Sequence, residues 1–185
     1  MKKWISAVLT AILLIGSPET ALAEDFTADL TVKSGYSAEE LAAGLKGNLV
    51  DLAGEFVAAE EKYGVNAVFL AGLAALESGW GRHCFRPNNF FGWGKKSFDT
   101  PAKGIDFVAE KIAAYYLSED GKYYHGVSLS GVNVSYNGSK AWTEKVGGIM
   151  QNISKKAEAY REEHPTKILT EEKETNGRII LSQNP

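Results

Sequence analysis

The segment "AVFLAGLAALES", Ala67 to Ser78, constrains this chain more than any other. Small and aliphatic side chains point in every direction around a helix of that sequence, so other elements must wrap it. Asn66 stands where a side chain caps a helix start, and Gly79 where a left-handed residue ends one. Amphipathic stretches that can do the wrapping lie on both sides. From Leu49 to Tyr63 the apolar positions Leu49, Leu52, Ala53, Phe56, Val57 and Tyr63 recur at helical spacing, up to Gly64. Two more helices are predicted, from about Lys103 to Leu117 and from about Lys140 to Arg161. "SAEEL" from Ser37 has the Ser-x-x-Glu spacing of a capping box, with Glu40 as the reciprocal partner. The fold class expected is mainly α. Two loops rich in Gly, Asn, Ser and aromatics, Gly79 to Pro101 and Ser118 to Ser139, form a small lobe with room for a hairpin.

The ends of the chain read differently. Lys2, Lys3, the apolar run "WISAVLTAILLIG" and "ALA" at Ala21 to Ala23 have the layout of an export signal, which predicts cleavage after Ala23. Residues 24–36 are expected as an extended or loose lead segment, residues 37–164 as the domain, and residues 165–185 as a weakly ordered tail despite the turn signal Asn176-Gly177. The protein is then secreted, extracellular or associated with the cell wall. Loss of Lys2, Lys3 and Glu19 takes the formal charge from -3 to about -4, an acidic balance without the footprint of a nucleic-acid or anionic-membrane binder. Cys84 is the only cysteine, so no intramolecular disulfide forms, and it reads as a partly buried structural thiol. His83, His125 and His164 have no ligand spacing, so neither metal nor cofactor is expected.

Glu77 is the residue out of place. Leu70, Leu73 and Glu77 are separated by three and four residues and share one helix face. Burial on that stripe and the negative end of the helix dipole would both raise the pKa of the carboxyl. An acid that keeps its proton near neutral pH is what glycosidic cleavage needs, because the leaving oxygen must be protonated as the bond breaks. The plainer alternative is a helix-end acid paired with Arg82 or Lys95. The residues after Glu77 favour a sugar site. Trp80, Phe85, Phe90, Phe91, Trp93 and Phe98 are interleaved with Asn88, Asn89 and glycines. Aromatic faces stack on pyranose rings and amides bond hydroxyl and acetamido groups. Phe91 and Phe98 are expected in the core, and Trp80 and Trp93 in a cleft.

The stretches "FLAGLAALESGWGRH", "NNFFGWG" and "YYHGVSLSGVNVSYNGSKAWTEKVGGIM" resemble, in order and spacing, the glucosaminidase domain of bacterial autolysins, glycoside hydrolase family 73. The resemblance runs from about Leu45 to Ile153 and implies a lysozyme-like helical fold that hydrolyses the β-1,4 bond after N-acetylglucosamine in peptidoglycan. It implies Glu77 as general acid, Asn89, Phe90 and Gly92 as a cleft motif, and Tyr136 opposite the acid, with Asn88, Trp80, Trp93 and Asn137 as further substrate contacts. Trp142 matches a family position, although its place on the helix face reads as core. A second carboxylate is less clear: "KKSFDTPAKG" offers only Asp99, which is either a base for water or a turn residue before Thr100-Pro101. Without it, the 2-acetamido group of the sugar can act as nucleophile. The implied partner is the glycan strand of peptidoglycan, acted on by a monomer. A lytic transglycosylase or muramidase is the rival among enzymes, and a glycan-binding protein with a degenerate site is the rival from another class.

Overall fold

The computed structural model describes residues 28–165, so the export signal at 1–23 and most of the tail at 165–185 lie outside the described residues. Helix α1 is Ala38–Gly44, followed by a 3-10 turn at Gly47–Leu52. Then come α2 (Ala53–Tyr63), α3 (Ala67–Ser78), α4 (Pro101–Ile112), a π turn at Ala113–Leu117, α5 (Leu129–Tyr136) and α6 (Lys140–Glu163). No sheet forms among the described residues, where the β content is an isolated bridge between Asp29 and Ser128. No helix among them is long and apolar enough to cross a membrane.

Helix α3 is the centre. Every residue from Ala67 to Ala75 is buried, as its all-apolar sequence requires. Its start is capped by Asn66, whose side-chain oxygen accepts from Phe69 N at 3.0 Å. Helix α6 crosses it at close range: a Cβ on Gly72 would sit 3.0 Å from Met150 Cγ, and one on Gly44 of α1 would sit 2.6 Å from the carbonyl oxygen of Ile153. Small residues at these two points set how near the helix axes come.

Buried and capping carboxylates tie the elements together. Glu60, 1 % exposed, accepts from Ala67 N at 2.6 Å and from Ser34 N at 2.7 Å, joining α2 to the start of α3 and to the N-terminal segment. The capping box is formed, with Ser37 N donating to Glu40 at 2.8 Å and Glu40 N to Ser37 at 3.2 Å. The same Glu40 carboxylate receives Arg161 Nε at 2.6 Å and Nη2 at 2.7 Å, which fastens the far end of α6 to α1.

Several expectations are corrected. The helix read from Leu49 opens as a 3-10 turn and becomes α only at Ala53. The helix read to Leu117 ends its α part at Ile112, and the Tyr-Tyr pair sits in a π turn. The second loop contains α5 in place of a hairpin: Ser128 caps it by accepting from Gly131 N at 3.1 Å, although "LSGVNVSY" has poor helix propensity, so packing of Leu129 and Val132 decides. The lead segment is not loose at Leu30, which is buried and held by Leu30 N to Val127 O at 2.9 Å and Asn66 N to Leu30 O at 2.8 Å.

The Arg161 guanidinium, desolvation notwithstanding, holds the Glu40 carboxyl below its ordinary range. A depressed folded pKa gives stability that is present above the unfolded carboxyl pKa and lost as pH falls through the folded one. Glu40→Gln is therefore expected to lower stability at pH 7 by about 2 kcal/mol. Thermal melts should show the gap to the wild type closing as pH falls below about 4.

Candidate active site

Helix α3 leaves the core through a sharp reversal. Gly79, Trp80 and Gly81 are all left-handed, with φ of 56°, 64° and 79°. Ser78 secures the turn by donating to Ala74 O at 2.6 Å and accepting from Gly81 N at 2.8 Å. Trp80 thereby goes to the 3-10 turn: its carbonyl accepts from Asn48 N at 3.1 Å and its ring carries the Lys46 ammonium at 5.3 Å. Trp80 does not line the cleft that holds Glu77.

That cleft has a volume of about 630 Å³ and is lined by Glu77, Gly92, Trp93, Tyr136 and Asn137, together with Tyr115, Tyr116 and Tyr123. Glu77 is exposed within it, not buried on the apolar stripe as its spacing suggested, because the last turn of α3 has already emerged from the packed layer. Its position is fixed from one side. The indole Nε1 of Trp142, 6 % exposed on α6, donates to Glu77 Oε1 at 3.0 Å. On the other side lies the backbone of Gly92, where a Cβ would stand 3.9 Å from Glu77 Oε2. Trp142 thus packs in the core and also positions the carboxylate.

Tyr136 stands in a ring of aromatics. Its ring centroid lies 5.2 Å from Trp142, 5.7 Å from Tyr116 and 6.5 Å from Trp93. Its hydroxyl donates to Phe91 O at 3.2 Å. Burial, then the negative charge of Glu77, then Tyr116, push the phenol far above its ordinary pKa. It is therefore a neutral hydrogen-bond donor beside the carboxylate and not a base.

The "NNFFGWG" stretch works differently from expectation. Asn89 is buried and spends its amide inside the loop, accepting from Trp93 N at 2.9 Å and donating to Lys96 O at 3.0 Å. Asn88 is left-handed at φ 56° and donates to Phe98 O at 2.8 Å. Phe90, 5 % exposed, belongs to the core alongside Phe91. These three were expected to touch substrate; a loop this rich in glycine needs internal bonds and an apolar anchor to hold one shape, and they provide them. Phe98, expected in the core, is only half-buried and packs on Phe107 at 5.4 Å.

Asp99 is not brought to Glu77. It is exposed, pairs with Lys103 at 2.6 Å, and is held below its ordinary pKa by that hydrogen bond. Among the described residues, Glu77 is the sole carboxylate lining the cleft. Cys84 is half-buried and its thiol is pushed up by burial, which disfavours a thiolate. No cluster of His, Cys, Asp or Glu among the described residues is arranged to hold a metal.

Sequence reading missed the wall formed by Tyr115, Tyr116 and Tyr123. Tyr115 and Tyr116 lie in the π turn, a form frequent at functional sites, and nothing in the spacing of "AAYYL" distinguishes it from a continuing α-helix.

Known proteins resemble the chain in sequence and in fold. The family model described as mannosyl-glycoprotein endo-beta-N-acetylglucosaminidase matches residues 53–155. Two Streptococcus pneumoniae proteins, from strains TIGR4 and R6, both provisionally named endo-beta-N-acetylglucosaminidase, are 36 % identical over 145 residues. The match takes in 69 % of this chain but only 22 % and 20 % of theirs, so the chain spans about a fifth of the length of these curated relatives. Crystal structures of S. aureus autolysin E share the fold. A catalytic mutant in complex with the disaccharide NAG-NAM aligns with a TM-score of 0.57 at 22 % identity, over 76 % of this chain and 80 % of that one. A complex with the muropeptide NAM-L-Ala-D-iGlu aligns with a TM-score of 0.56 at 20 % identity, over 76 % and 79 %.

The state of Tyr136 is open to direct measurement. Alkaline ultraviolet titration of the wild type and of Tyr136→Phe should give coincident curves up to about pH 11, because the residue removed does not ionise in that range. An extra phenolate in the wild type near pH 10 would contradict it.

Proposed function

Since the chain belongs to the glucosaminidase family, we propose that it is an exported peptidoglycan hydrolase cleaving the β-1,4 bond after N-acetylglucosamine, with Glu77 as general acid. The observation that carries this reading is the lone carboxylate in an aromatic cleft, held by the Trp142 indole through one oxygen. The other oxygen, beside the Gly92 backbone, is left for the substrate. A glycan seated over Trp93 and Tyr136 would cover the exposed Glu77 and strip its water. In this proposal the export signal ends at Ala23, the domain spans residues 37–164, and the working site is the wall outside the cell, where the protein acts as a monomer.

With Asp99 engaged by Lys103 away from the cleft, the proposed route uses the 2-acetamido group. Glu77 gives its proton to the leaving oxygen as the C1–O bond breaks and the acetamido oxygen bonds to C1. Water then opens that ring, giving a proton back to Glu77. Tyr136, a neutral donor next to the acid, orients the substrate and steadies developing charge. Asn137 and Trp93 contact the sugar, while Asn88, Asn89 and Phe90 act by shaping the loop.

The test is digestion of purified peptidoglycan, borohydride reduction, and mass spectrometry of the new ends. Reduced N-acetylglucosamine is expected, and Glu77→Gln should lower its release by about a hundred- to ten-thousand-fold while staying folded. Reducing or anhydro-muramic ends would instead make the enzyme a muramidase or a lytic transglycosylase. No ends at all would leave a glycan-binding protein.

The Trp142 indole gives a second, independent test. Trp142→Phe keeps an aromatic ring and removes the donor, so kcat should fall about tenfold or more, with a much smaller change in KM. Equal kcat in the two proteins would reduce Trp142 to packing.

A further inference from the structure

The cleft carries charge of the wrong sign for a chain whose formal charge is -3. Besides Glu77 its charged lining residues are Lys95, Lys96 and Lys122, all exposed or half-exposed. Among the described residues no ion pair engages any of the three. Two of these ammonium groups are placed by aromatic rings instead. Lys96 Nζ lies 4.8 Å from the Phe107 centroid, and Lys122 Nζ lies 4.4 Å from Tyr123 and 5.1 Å from Tyr115. Lys111, paired with Glu110 at 2.8 Å, stands 5.3 Å from the same Phe107 and 5.7 Å from the same Tyr115. Phe107 and Tyr115 are thus each shared by two lysines.

Cation–π contacts hold Lys96 and Lys122 in place but do not neutralise them. Lys95, Lys96 and Lys122 leave the cleft with an excess of positive charge, which an anion seated there neutralises. The neutral hydroxyls of a sugar chain do not answer that need. We propose that the lysine wall binds the carboxylates of peptide stems branching from a glycan strand in the cleft, so that the site selects stem-bearing strands over bare ones. This rests on the peptidoglycan reading of the site. Carboxylates are favoured over other anions because they are the charges a stem-bearing strand itself would bring, and the lysines line the cleft proposed to hold that strand.

The experiment measures binding, so that it does not depend on turnover. The full chain carrying Glu77→Gln is titrated with three glycan preparations, all first freed of phosphate polymers: stem-bearing strands, strands whose stem carboxylates have been amidated, and bare strands. At low salt, stem-bearing strands should bind about tenfold more tightly than the other two, and the preference should vanish by about 0.5 M salt. Adding Lys95→Gln, Lys96→Gln and Lys122→Gln together should bring the ratio to about one, whereas the three Lys→Arg changes should keep it. The proposal is overturned if the Gln variant retains the preference, if the Arg variant loses it equally, if amidated strands bind like stem-bearing ones, or if no strand binds. Release of reducing ends from stem-bearing strands by the wild type is scored separately. Its absence would strike the hydrolase reading and leave the binding ratio readable.

Discussion

The exit of α3 from the core is the constraint on which the rest depends. A helix buried on all sides from Ala67 to Ala75 cannot carry a charge within that span, so a carboxylate can enter only where the wrapping stops. Glu77 occupies that place. The left-handed run Gly79-Trp80-Gly81 then removes the chain from the space in front of it. A longer helix would fill the cleft, and a shorter one would put the acid among Leu70 and Leu73, where no partner could compensate its charge. Helix α6 completes the arrangement by packing along α3 closely enough for Trp142 to reach the carboxylate from within the core. The position of the acid is therefore as rigid as the packing of two helices.

The cleft wall opposite is made of loop, and its rigidity has another source. Asn89 closes bonds to Trp93 and Lys96, Asn88 reaches Phe98, and Phe90 and Phe91 are pinned in the core. Gly92 can then present bare backbone near Glu77 with no side chain between. Asn88 and Asn89, which looked like ligands for a sugar, are occupied with backbone groups of the loop, and the surfaces left for a ligand are aromatic rings, Asn137, one carboxylate and lysines. Such a division is economical, because a loop held by its own side chains loses little entropy when a ligand arrives.

Much of this was legible in the sequence. The all-apolar helix, its Asn66 and Gly79 caps and the Ser37 box follow from spacing and residue chemistry alone, and the structure has them all. The misreadings share a cause. Periodicity assigns a face but not a depth, so Glu77 was placed on the right side of α3 and at the wrong burial. Composition marks "NNFFGWG" as a special loop but cannot tell an amide that bonds outward from one that bonds inward. Helix α5 and the π turn were hidden because tertiary packing overrides weak local propensity. Trp142 was recognisable as core, and its second role at Glu77 depends on a contact 65 residues away in sequence.

The charge pattern of the cleft limits the chemistry more tightly than any single residue. A two-carboxylate mechanism needs a second acid facing the same cleft, and Asp99, exposed and paired with Lys103, does not line the cleft that holds Glu77. Tyr136 does not replace it, since burial and the Glu77 charge keep the phenol protonated. Among the described residues no group lining the cleft besides Glu77 carries a negative charge, and lysines supply the positive ones. Developing positive charge at a sugar carbon would therefore find a single anion, Glu77, which has itself just given up a proton. In the reaction proposed above, a nucleophile brought by the substrate meets that shortage without a second acid from the protein. An aromatic floor and a neutral tyrosine suit the task of holding an acetamido group in line with the breaking bond.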